Sequence, residues 1–222
     1  AAARPGCDSL ARGARMRDSD IAVVGMACVF PGASDLDRFW ANNVDGINCL
    51  AEPPVDRCNG RLNFLLPCLG DAYRPMTFGG FIPDDYRFDP VRYGMLPTAV
   101  RDGDPDQFLT LATIDAALVD AGISADSPLR ARCDVIVGRG GYQTNKMSDG
   151  TAQADWFPHL LLYLRREFAA WSADRFADFA DRMRESFPAS DVDGIVTCIP
   201  NLVASRAANR LDLRGEIGRA HV

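Results

Sequence analysis

A short run of β-branched and small apolar residues near the N-terminus, residues 21–24, is the feature that most constrains the fold. Gly25 follows it directly, and Pro31 and Gly32 then form a turn signal. A continuous apolar run of this kind is typical of a strand buried on both faces of a sheet that helices cover. The sequence therefore predicts a buried strand here and an α/β architecture.

An amphipathic helix is predicted directly after this turn. Ser34 is placed to cap it, Asp37 follows three residues later, and Gly46 suits its C-terminal end. Apolar residues recur at spacings of three and four along one face, at Leu36, Phe39, Trp40 and Val44. Residues 20–46 thus predict a strand, a turn and a helix in that order, which is the repeating unit of an α/β fold.

Two further runs, residues 133–138 and 195–199, have the same strand character. We expect the three runs to form central strands of one mostly buried sheet, with a helix packed against it. The predicted strand residues are Val23, Val24, Val135, Ile136, Val137, Ile195 and Val196, and the predicted helix contacts are Leu109, Ala112 and Ala116.

The strongest helix prediction covers residues 104–122. Asp104 can cap it, Pro105 fits its first turn, and Gly122 ends it. Apolar residues occupy nearly all of its faces, which predicts burial on all sides.

Three more helices are predicted towards the C-terminus. The first runs over residues 156–171 and contains His159, which we expect to be packed. The second is capped by Ser172, with Asp178 and Arg182 paired on its exposed face. The third follows Asn201, and its small residues permit a close helix neighbour.

Composition excludes several function classes. The chain carries 24 basic and 30 acidic residues, a net charge of −6, without a basic cluster, so no nucleic-acid partner is predicted. No apolar stretch is long enough to predict a membrane span. Seven cysteines without a CxxC pair, together with only two histidines, predict reduced thiols, a cytoplasmic protein and no metal site.

Residue patterns alone assign no catalytic, cofactor-binding or metal-ligating residue. Arg139 opens a Gly-rich turn after a predicted strand, but the turn lacks a GxGxxG pattern and a Lys-Ser/Thr pair, so a structural turn is expected. His159 has no acid or cysteine at a readable spacing, and Cys198 lies inside an apolar run, where a buried and inert thiol is expected. An unrelated α/β nucleotide-binding domain remains the alternative at this level.

Several segments of the chain carry the wording of one family. The stretch IAVVGMACVFPGASDLDRFW resembles the opening of β-ketoacyl synthase (ketosynthase) domains, although Val29 stands where the family usually has Arg. The segments GGF, FDP, DPDQFL, ALVDAGIS and IPNLVASRAANRLDLRG resemble later parts of the same domain. The wording RYG and VGRGGY is similar to that of multidomain polyketide and polyunsaturated-fatty-acid-type synthases.

The resemblance implies a thiolase-like fold, of which this chain has the N-terminal half only, truncated before the nucleophile elbow. Family members act as homodimers on substrates carried by the phosphopantetheine of an acyl carrier protein, and they bind no cofactor directly. A cysteine takes the acyl group, two histidines help to decarboxylate a malonyl-type extender, and the carbanion attacks the acyl-enzyme. The resemblance places the nucleophilic cysteine and both histidines beyond Gly215.

The same resemblance gives the expected boundaries. Residues 1–15 are expected to be a disordered or non-native leader, residues 16–215 a partial N-terminal domain, and residues 216–222 a non-native tail without a place in the fold. This fragment alone is expected to be inactive. The alternative within the family is a non-condensing partner subunit of the chain-length-factor type.

Overall fold

The computed structural model describes residues 20–52, 78–83, 86–101, 103–140, 152–185, 199 and 201–221. Its helices are α1 (Leu36–Val44), α2 (Pro97–Arg101), α3 (Pro105–Asp120), α4 (Phe157–Glu167), α5 (Ala173–Glu185) and α6 (Leu202–Arg210). Its strands are β1 (Leu50–Ala51), β2 (Gly79–Gly80), β3 (Val135–Arg139) and β4 (Ile217–His221). Two 3₁₀ turns, Val91–Tyr93 and Pro128–Arg132, and one π turn, Ala152–Trp156, complete the elements. Within the described residues, none of the helices has the length and apolar character needed to cross a bilayer.

The hydrophobic core lies where α3 packs against α6, with β3 beside them. Leu111 of α3 and Ala207 of α6 are completely buried. The small side chains of α6 allow the two helix backbones to approach closely, as the sequence predicted. Buried members of this core are Met95, Phe108, Leu111, Val135, Ala204, Ala207, Ala208, Leu211 and Leu213.

Helix α3 confirms the predicted N-terminal signals. The Asp104 side chain accepts a hydrogen bond from the Asp106 N–H at 3.0 Å, and Pro105 occupies the first turn. Gly122 adopts a left-handed φ of 72° at the C-terminal end. The prediction of burial on all sides is wrong: the buried residues are Gln107, Phe108, Leu111 and Asp115, whereas Ala116, Val119 and Asp120 are exposed. Among the predicted sheet contacts, Leu109 and Ala112 are half-buried and Ala116 is exposed.

The predicted first strand is not a strand in the structure. Residues 20–29 form no ladder with any other described segment, and Val23 and Val24 are 77% and 68% exposed. Gly25 instead lies against α3, where a Cβ would overlap Ala117 and Ala121, and the Met26 N–H donates to Asp120 Oδ2 at 2.9 Å. A strand buried on both faces needs neighbouring strands and covering layers, and the described part of the chain supplies none at this position.

The described strands form two separate two-stranded sheets instead of one buried sheet. β1 and β2 are antiparallel, and β3 and β4 are parallel, with Val135 opposite Ile217 and Arg139 opposite His221. The prediction of a strand at 133–138 is confirmed, but its burial on both faces is not, since Val135 is buried while Ile136 is 75% exposed. Ile195 and Val196 lie outside the described residues.

The tail after Gly215 pairs with β3 as strand β4, contrary to the expectation that it has no place in the fold; that the tail is non-native stays a prediction. Glu216 donates its N–H to Asp134 Oδ1 at 2.8 Å, and its carbonyl accepts from the Val135 N–H at 2.8 Å. A Cβ on Gly215 would overlap Asp134 and the carbonyl of Cys133, so only glycine lets the chain pass this close. The tail lacks apolar periodicity, but a parallel partner needs only backbone groups to extend the ladder.

Helix α1 lies where it was predicted, but it begins one residue later because its cap is a different residue. Asp35, rather than Ser34, accepts the hydrogen bond from the Arg38 N–H at 2.8 Å. Asp35 lies directly before the first helical residue, which is the N-cap position, whereas Ser34 lies one residue too early. Gly46 has a φ of 65°, as expected of a C-terminal glycine. The apolar face is largely open, with Trp40 70% exposed.

Helices α4 and α5 form a hairpin held by aromatic contacts. The Phe168 and Trp171 rings stack with centroids 4.6 Å apart, and Trp171 meets Phe179 of α5 edge-on at 5.6 Å. The Ser172 cap and the Asp178–Arg182 ion pair are confirmed, with the charged atoms of the pair 3.0 Å apart. α4 ends at Glu167 rather than at residue 171.

Candidate functional site

The carboxyl edge of the parallel β3–β4 pair is the natural position for a site, because ligands in open α/β sheets bind beyond the carboxyl ends of the strands. At this edge Arg139 donates to Asp106 Oδ2 from Nε at 3.0 Å and from Nη2 at 2.8 Å. The Arg139 side chain is 14% exposed, and Asp106 lies in the first turn of α3. The pair ties the end of the strand to the start of the helix and neutralises both charges.

The N-terminus of α3 at this edge is closed by its own cap. Asp104 is buried, with 1% of its surface exposed, and its carboxylate already receives the Asp106 N–H. A carboxylate in this position competes with any bound anion for the helix N–H groups and the positive end of the helix dipole. The described geometry at this edge thus gives an ion pair and a helix cap. The turn that begins at Arg139 lies mostly outside the described residues, so its structural role stays a prediction.

The three cysteines that the structure describes, Cys28, Cys49 and Cys133, are free thiols. A nucleophilic thiolate is favoured at the N-terminus of a helix, where the dipole lowers the thiol pKa. Burial, and next the Asp35 carboxylate, raise the pKa of the Cys28 thiol instead. Cys133 lies at the opposite, C-terminal end of the 3₁₀ turn Pro128–Arg132, and Cys49 follows α1. None of these three has the surroundings of an activated nucleophile.

The other residues singled out in the sequence are separated from this edge or lie outside the described residues. His159 is exposed rather than packed, and its Nδ1 lies 2.6 Å from the Asp155 carbonyl oxygen, a contact within one helical turn. An exposed imidazole satisfied by its own helix has no partner that would make it a base. Cys198 lies outside the described residues. In the described ranges, no cluster of three or more His, Cys, Asp or Glu side chains could hold a metal ion.

Sequence reasoning missed a buried carboxylate on α3. Asp115 is 7% exposed and accepts from Arg92 Nη2 at 2.6 Å and from the Tyr93 hydroxyl at 3.1 Å. Burial, and next the Asp115 charge and hydrogen bond, raise the pKa of Tyr93 to about 12. The sequence signal for this network was a single acidic residue within an otherwise apolar part of the helix. A buried carboxylate needs a cation or a hydrogen-bond donor as its partner. The network holds the Arg92–Tyr93 turn against the core.

A buried arginine was missed as well. Arg130 is 7% exposed and donates to three carbonyl oxygens, those of Leu211 at 2.7 Å, Ser124 at 2.8 Å and Ile123 at 3.4 Å. These contacts join the 3₁₀ turn to the end of α6. Nothing in the local sequence pattern separates this arginine from its exposed neighbour Arg132, because the Leu211 carbonyl that it contacts lies 81 residues away along the chain.

Comparison with known proteins decides the family. The model of the β-ketoacyl synthase N-terminal domain matches residues 18–217, nearly the whole chain. The chain belongs to this family.

The relatives of this ketosynthase chain are large synthases. It is 30% identical over 160 residues to polyketide synthase PksN of Bacillus subtilis, a match that covers 70% of the chain and 3% of that protein. It is 28% identical over 204 residues to a polyunsaturated fatty acid synthase polypeptide of a Thraustochytrium species, covering 89% of the chain and 7% of that protein. The chain therefore spans only a small part of the relatives that it matches.

Solved structures confirm the fold. The oxazolomycin ketosynthase domain OzmH KS7 superposes with a TM-score of 0.58 at 24% identity, covering 90% of this chain and 28% of that one. A structure described as PfaC keto synthase–chain length factor gives a TM-score of 0.64 at 17% identity, covering 88% and 20%. Both likenesses concern the fold alone. The chain has the fold of the N-terminal part of a thiolase-like ketosynthase domain.

Proposed function

We propose that the chain is part of a condensing β-ketoacyl synthase, which joins an acyl thioester to a malonyl-type extender by decarboxylative Claisen chemistry in polyketide or fatty-acid biosynthesis. The observation that carries this proposal is the match of residues 18–217 to the β-ketoacyl synthase N-terminal domain. The names of the relatives, polyketide synthases and a polyunsaturated fatty acid synthase, support the product class.

The proposed chemistry takes place in two steps. A cysteine thiolate attacks the acyl thioester carbonyl, and the phosphopantetheine thiol of the carrier protein leaves. The malonyl-type extender then loses CO₂, its carbanion attacks the acyl-enzyme carbonyl, and the cysteine thiolate departs from a β-ketoacyl thioester. The first step needs a lowered thiol pKa, and both carbonyl attacks need donors for the developing oxyanions.

The catalytic cysteine and both histidines are proposed to lie beyond Gly215. The surroundings of Cys28, Cys49 and Cys133 support this, because burial raises the pKa of one and the other two sit away from any helix N-terminus. This chain then contributes part of the scaffold, namely the packed helices α3 and α6 and the parallel strands β3 and β4.

The partners follow from the same family assignment and are part of the proposal. An acyl carrier protein delivers both substrates, the whole synthase is a homodimer, and the protein acts in the cytoplasm. The absence of CxxC pairs among seven cysteines supports a reducing compartment. The chain-length-factor alternative has no observation in its favour, since the likeness to the PfaC structure concerns the fold alone.

The test is active-site acylation of the synthase polypeptide that contains this chain. After incubation with an acyl-pantetheine thioester, mass spectrometry should find an acyl group on a cysteine beyond Gly215, and malonyl carrier protein should release CO₂. The 222-residue chain, tested in parallel, should acquire no acyl group.

Two results would contradict this proposal. If the whole polypeptide takes no acyl group and has a residue other than cysteine at the elbow, the non-condensing alternative replaces it. If the 222-residue chain takes a stoichiometric acyl group that Cys198→Ala abolishes, the nucleophile is Cys198 and the assignment of the site is wrong.

A further inference from the structure

One side of helix α4 carries apolar residues that its partner helix α5 does not cover. Trp156, Leu160 and Tyr163 recur at spacings of four and three, and their exposed fractions are 73%, 44% and 70%. These three residues are called the α4 stripe below. The side of α4 that packs on α5 is a different one, where the Phe168 ring lies 6.4 Å from that of Phe179. The α4 stripe is therefore a second apolar face of the same helix.

The exposed side of α5 is of the ordinary solvated kind. It carries two ion pairs within the helix, Asp178 with Arg182 at 3.0 Å and Asp181 with Arg184 at 2.6 Å. Charged pairs at these spacings stabilise a helix surface that faces water. The α4 stripe instead contains tryptophan and tyrosine, the residue types that most often anchor protein interfaces. Adjacent exposed apolar side chains with polar neighbours mark an interaction surface.

Two opposite charges lie at the two ends of the α4 stripe. Asp155 directly precedes Trp156, and Arg166 follows eleven residues later. Because successive helix residues turn by about 100°, these two side chains project from the same flank of the helix. Both residues are exposed, and neither side chain has an ion-pair partner within the described ranges. An acid at one end and an arginine at the other complement the same helix turned end for end.

We propose that the α4 stripe binds the α4 stripe of a second copy of this chain, with the two helices antiparallel. A two-fold axis across the middle of α4 makes the contact self-complementary, as in most soluble homodimers. It places Leu160 opposite the partner's Tyr163 and Tyr163 opposite the partner's Leu160. Three apolar residues from each copy then leave water together.

The polar groups match in the same register. In an antiparallel helix pair equal flanks meet, so Asp155 lies opposite the partner's Arg166, and Arg166 lies opposite the partner's Asp155. Glu167 comes opposite the partner's Trp156, whose indole N–H can donate to a carboxylate. One arrangement thus pairs both charged ends and covers the apolar centre.

The charges around the stripe favour a second copy over a partner of another kind. Asp155 and Glu167 offset Arg166 and His159, so the rim has no strong excess of either charge for an acidic or a basic partner to recognise. The order of the charges along the helix, acid first and arginine last, is matched by the same helix in the reverse direction. Self-recognition therefore uses every charged group that the rim presents.

This inference rests on the proposed homodimer and not on the condensing chemistry. A synthase that takes no acyl group can still associate through α4. A homodimer held by other surfaces alone would leave the acylation result unchanged. Acylation and association therefore test the two proposals separately.

Sedimentation equilibrium of the full 222-residue chain is the first experiment. The chain should form a dimer, and Arg166→Asp should raise the dissociation constant about tenfold, because it places like charges opposite each other at both ends of the contact. Tyr163→Gln should weaken the dimer by a similar factor, because it removes a central apolar contact. The matched control is Arg132→Asp, which makes the same charge change at an exposed arginine outside α4 and α5 and should leave the dissociation constant unchanged.

A charge exchange tests whether the occupant is a second copy. Asp155→Arg combined with Arg166→Asp restores opposite charges across an antiparallel self-contact and should recover most of the lost affinity. This recovery also excludes misfolding as the cause of the loss in Arg166→Asp. A mixture of the two single variants should form the mixed dimer in preference to either homodimer, because only the mixed pair brings opposite charges together at both ends.

Three results would each overturn the proposal. They are a chain that stays monomeric at every concentration measured, a dimer that Arg166→Asp weakens no more than Arg132→Asp does, and a double variant that stays as weak as Arg166→Asp. The second result would place the contact between copies on another surface, and the third would show that the partner of Arg166 is not Asp155 of a second copy.

Discussion

The core unit (α3, α6 and β3) and the N-terminal arm (residues 20–46) both contain segments that resemble ketosynthase sequences, yet the two regions are buried to very different degrees. In the core unit, Leu111 and Ala207 are completely buried. In the N-terminal arm, Ile21 is 96% exposed, Trp40 is 70% exposed, and Ala33 is the one apolar residue of the arm found buried within the described chain. Sequence resemblance to a family therefore identifies a segment, but it does not predict how much of that segment is buried in the structure of this chain.

The physical difference lies in where the partners come from. Core-unit residues meet each other: Phe108 of α3 packs with Phe88, whose ring centroid is 5.3 Å away, and Ala204 and Ala208 of α6 belong to the same cluster. The N-terminal arm contacts α3 through Gly25 and through a hydrogen bond from Met26, and it contacts the β1–β2 region through Pro31 beside Gly80 and Gly32 beside Cys49. Apolar burial supplies most of the free energy of folding, so stability should be concentrated in the core unit.

The largest expected effect comes from truncating a core side chain. Leu111→Ala removes a fully buried side chain and should lower the free energy of unfolding by about 2–5 kcal/mol. Trp40→Ala in the N-terminal arm removes a larger but 70% exposed side chain and should cost less than about 1 kcal/mol. Urea unfolding midpoints of the two variants measure this difference, and equal losses would remove the distinction between the regions.

A matched pair of glycines gives the next effect. Gly215→Ala forces a Cβ into Asp134 and the Cys133 carbonyl and should cost roughly 2–3 kcal/mol through backbone displacement. Gly46→Ala meets no atom within 4 Å and bears only the strain of a φ of 65°, about 1 kcal/mol. Thermal unfolding of both variants tests the order, and a larger loss at Gly46 would contradict it.

The smallest expected effect is a loss of stability at alkaline pH, which arises from Tyr93 beside the core unit. The pKa of Tyr93 is raised to about 12, by burial first and by Asp115 next, so the unfolded chain loses this proton near pH 10 while the folded chain keeps it. The folded state then binds more protons than the unfolded state, and stability falls as pH rises from about 10 to 12.

Tyr93→Phe removes the ionising group and should flatten that part of the stability profile. Unfolding midpoints between pH 9 and 12, measured for both proteins, give the comparison. The proposed role of Tyr93 is wrong if the two profiles keep the same slope.

Local signals were readable from the sequence, and long-range ones were not. The bounds of α1 and α3 were predictable because caps and terminal glycines act within a few residues, as at Asp104 and Gly122. The cap of α1 was misplaced by one residue, from Asp35 to Ser34. Burial of residues 21–24 could not be predicted, because it depends on strands that no local pattern specifies.

The candidate site shows the same limit. The family assignment followed from wording at both ends of the chain, and the model match over residues 18–217 bears it out. The Asp115 network and the Arg130 contact with the Leu211 carbonyl were missed, since these partners lie 22 to 81 residues away along the chain. The place of the catalytic cysteine and histidines stays a prediction.

Hydrogen exchange followed by mass spectrometry tests the contrast between the two regions most directly. Amides in α3 and α6 should exchange most slowly, with protection approaching the global free energy of unfolding, whereas residues 20–25 should exchange within seconds because they belong to no ladder. Protection of residues 20–25 equal to that of α3 would show that the N-terminal arm is a buried strand after all, and would contradict the contrast between the arm and the core unit.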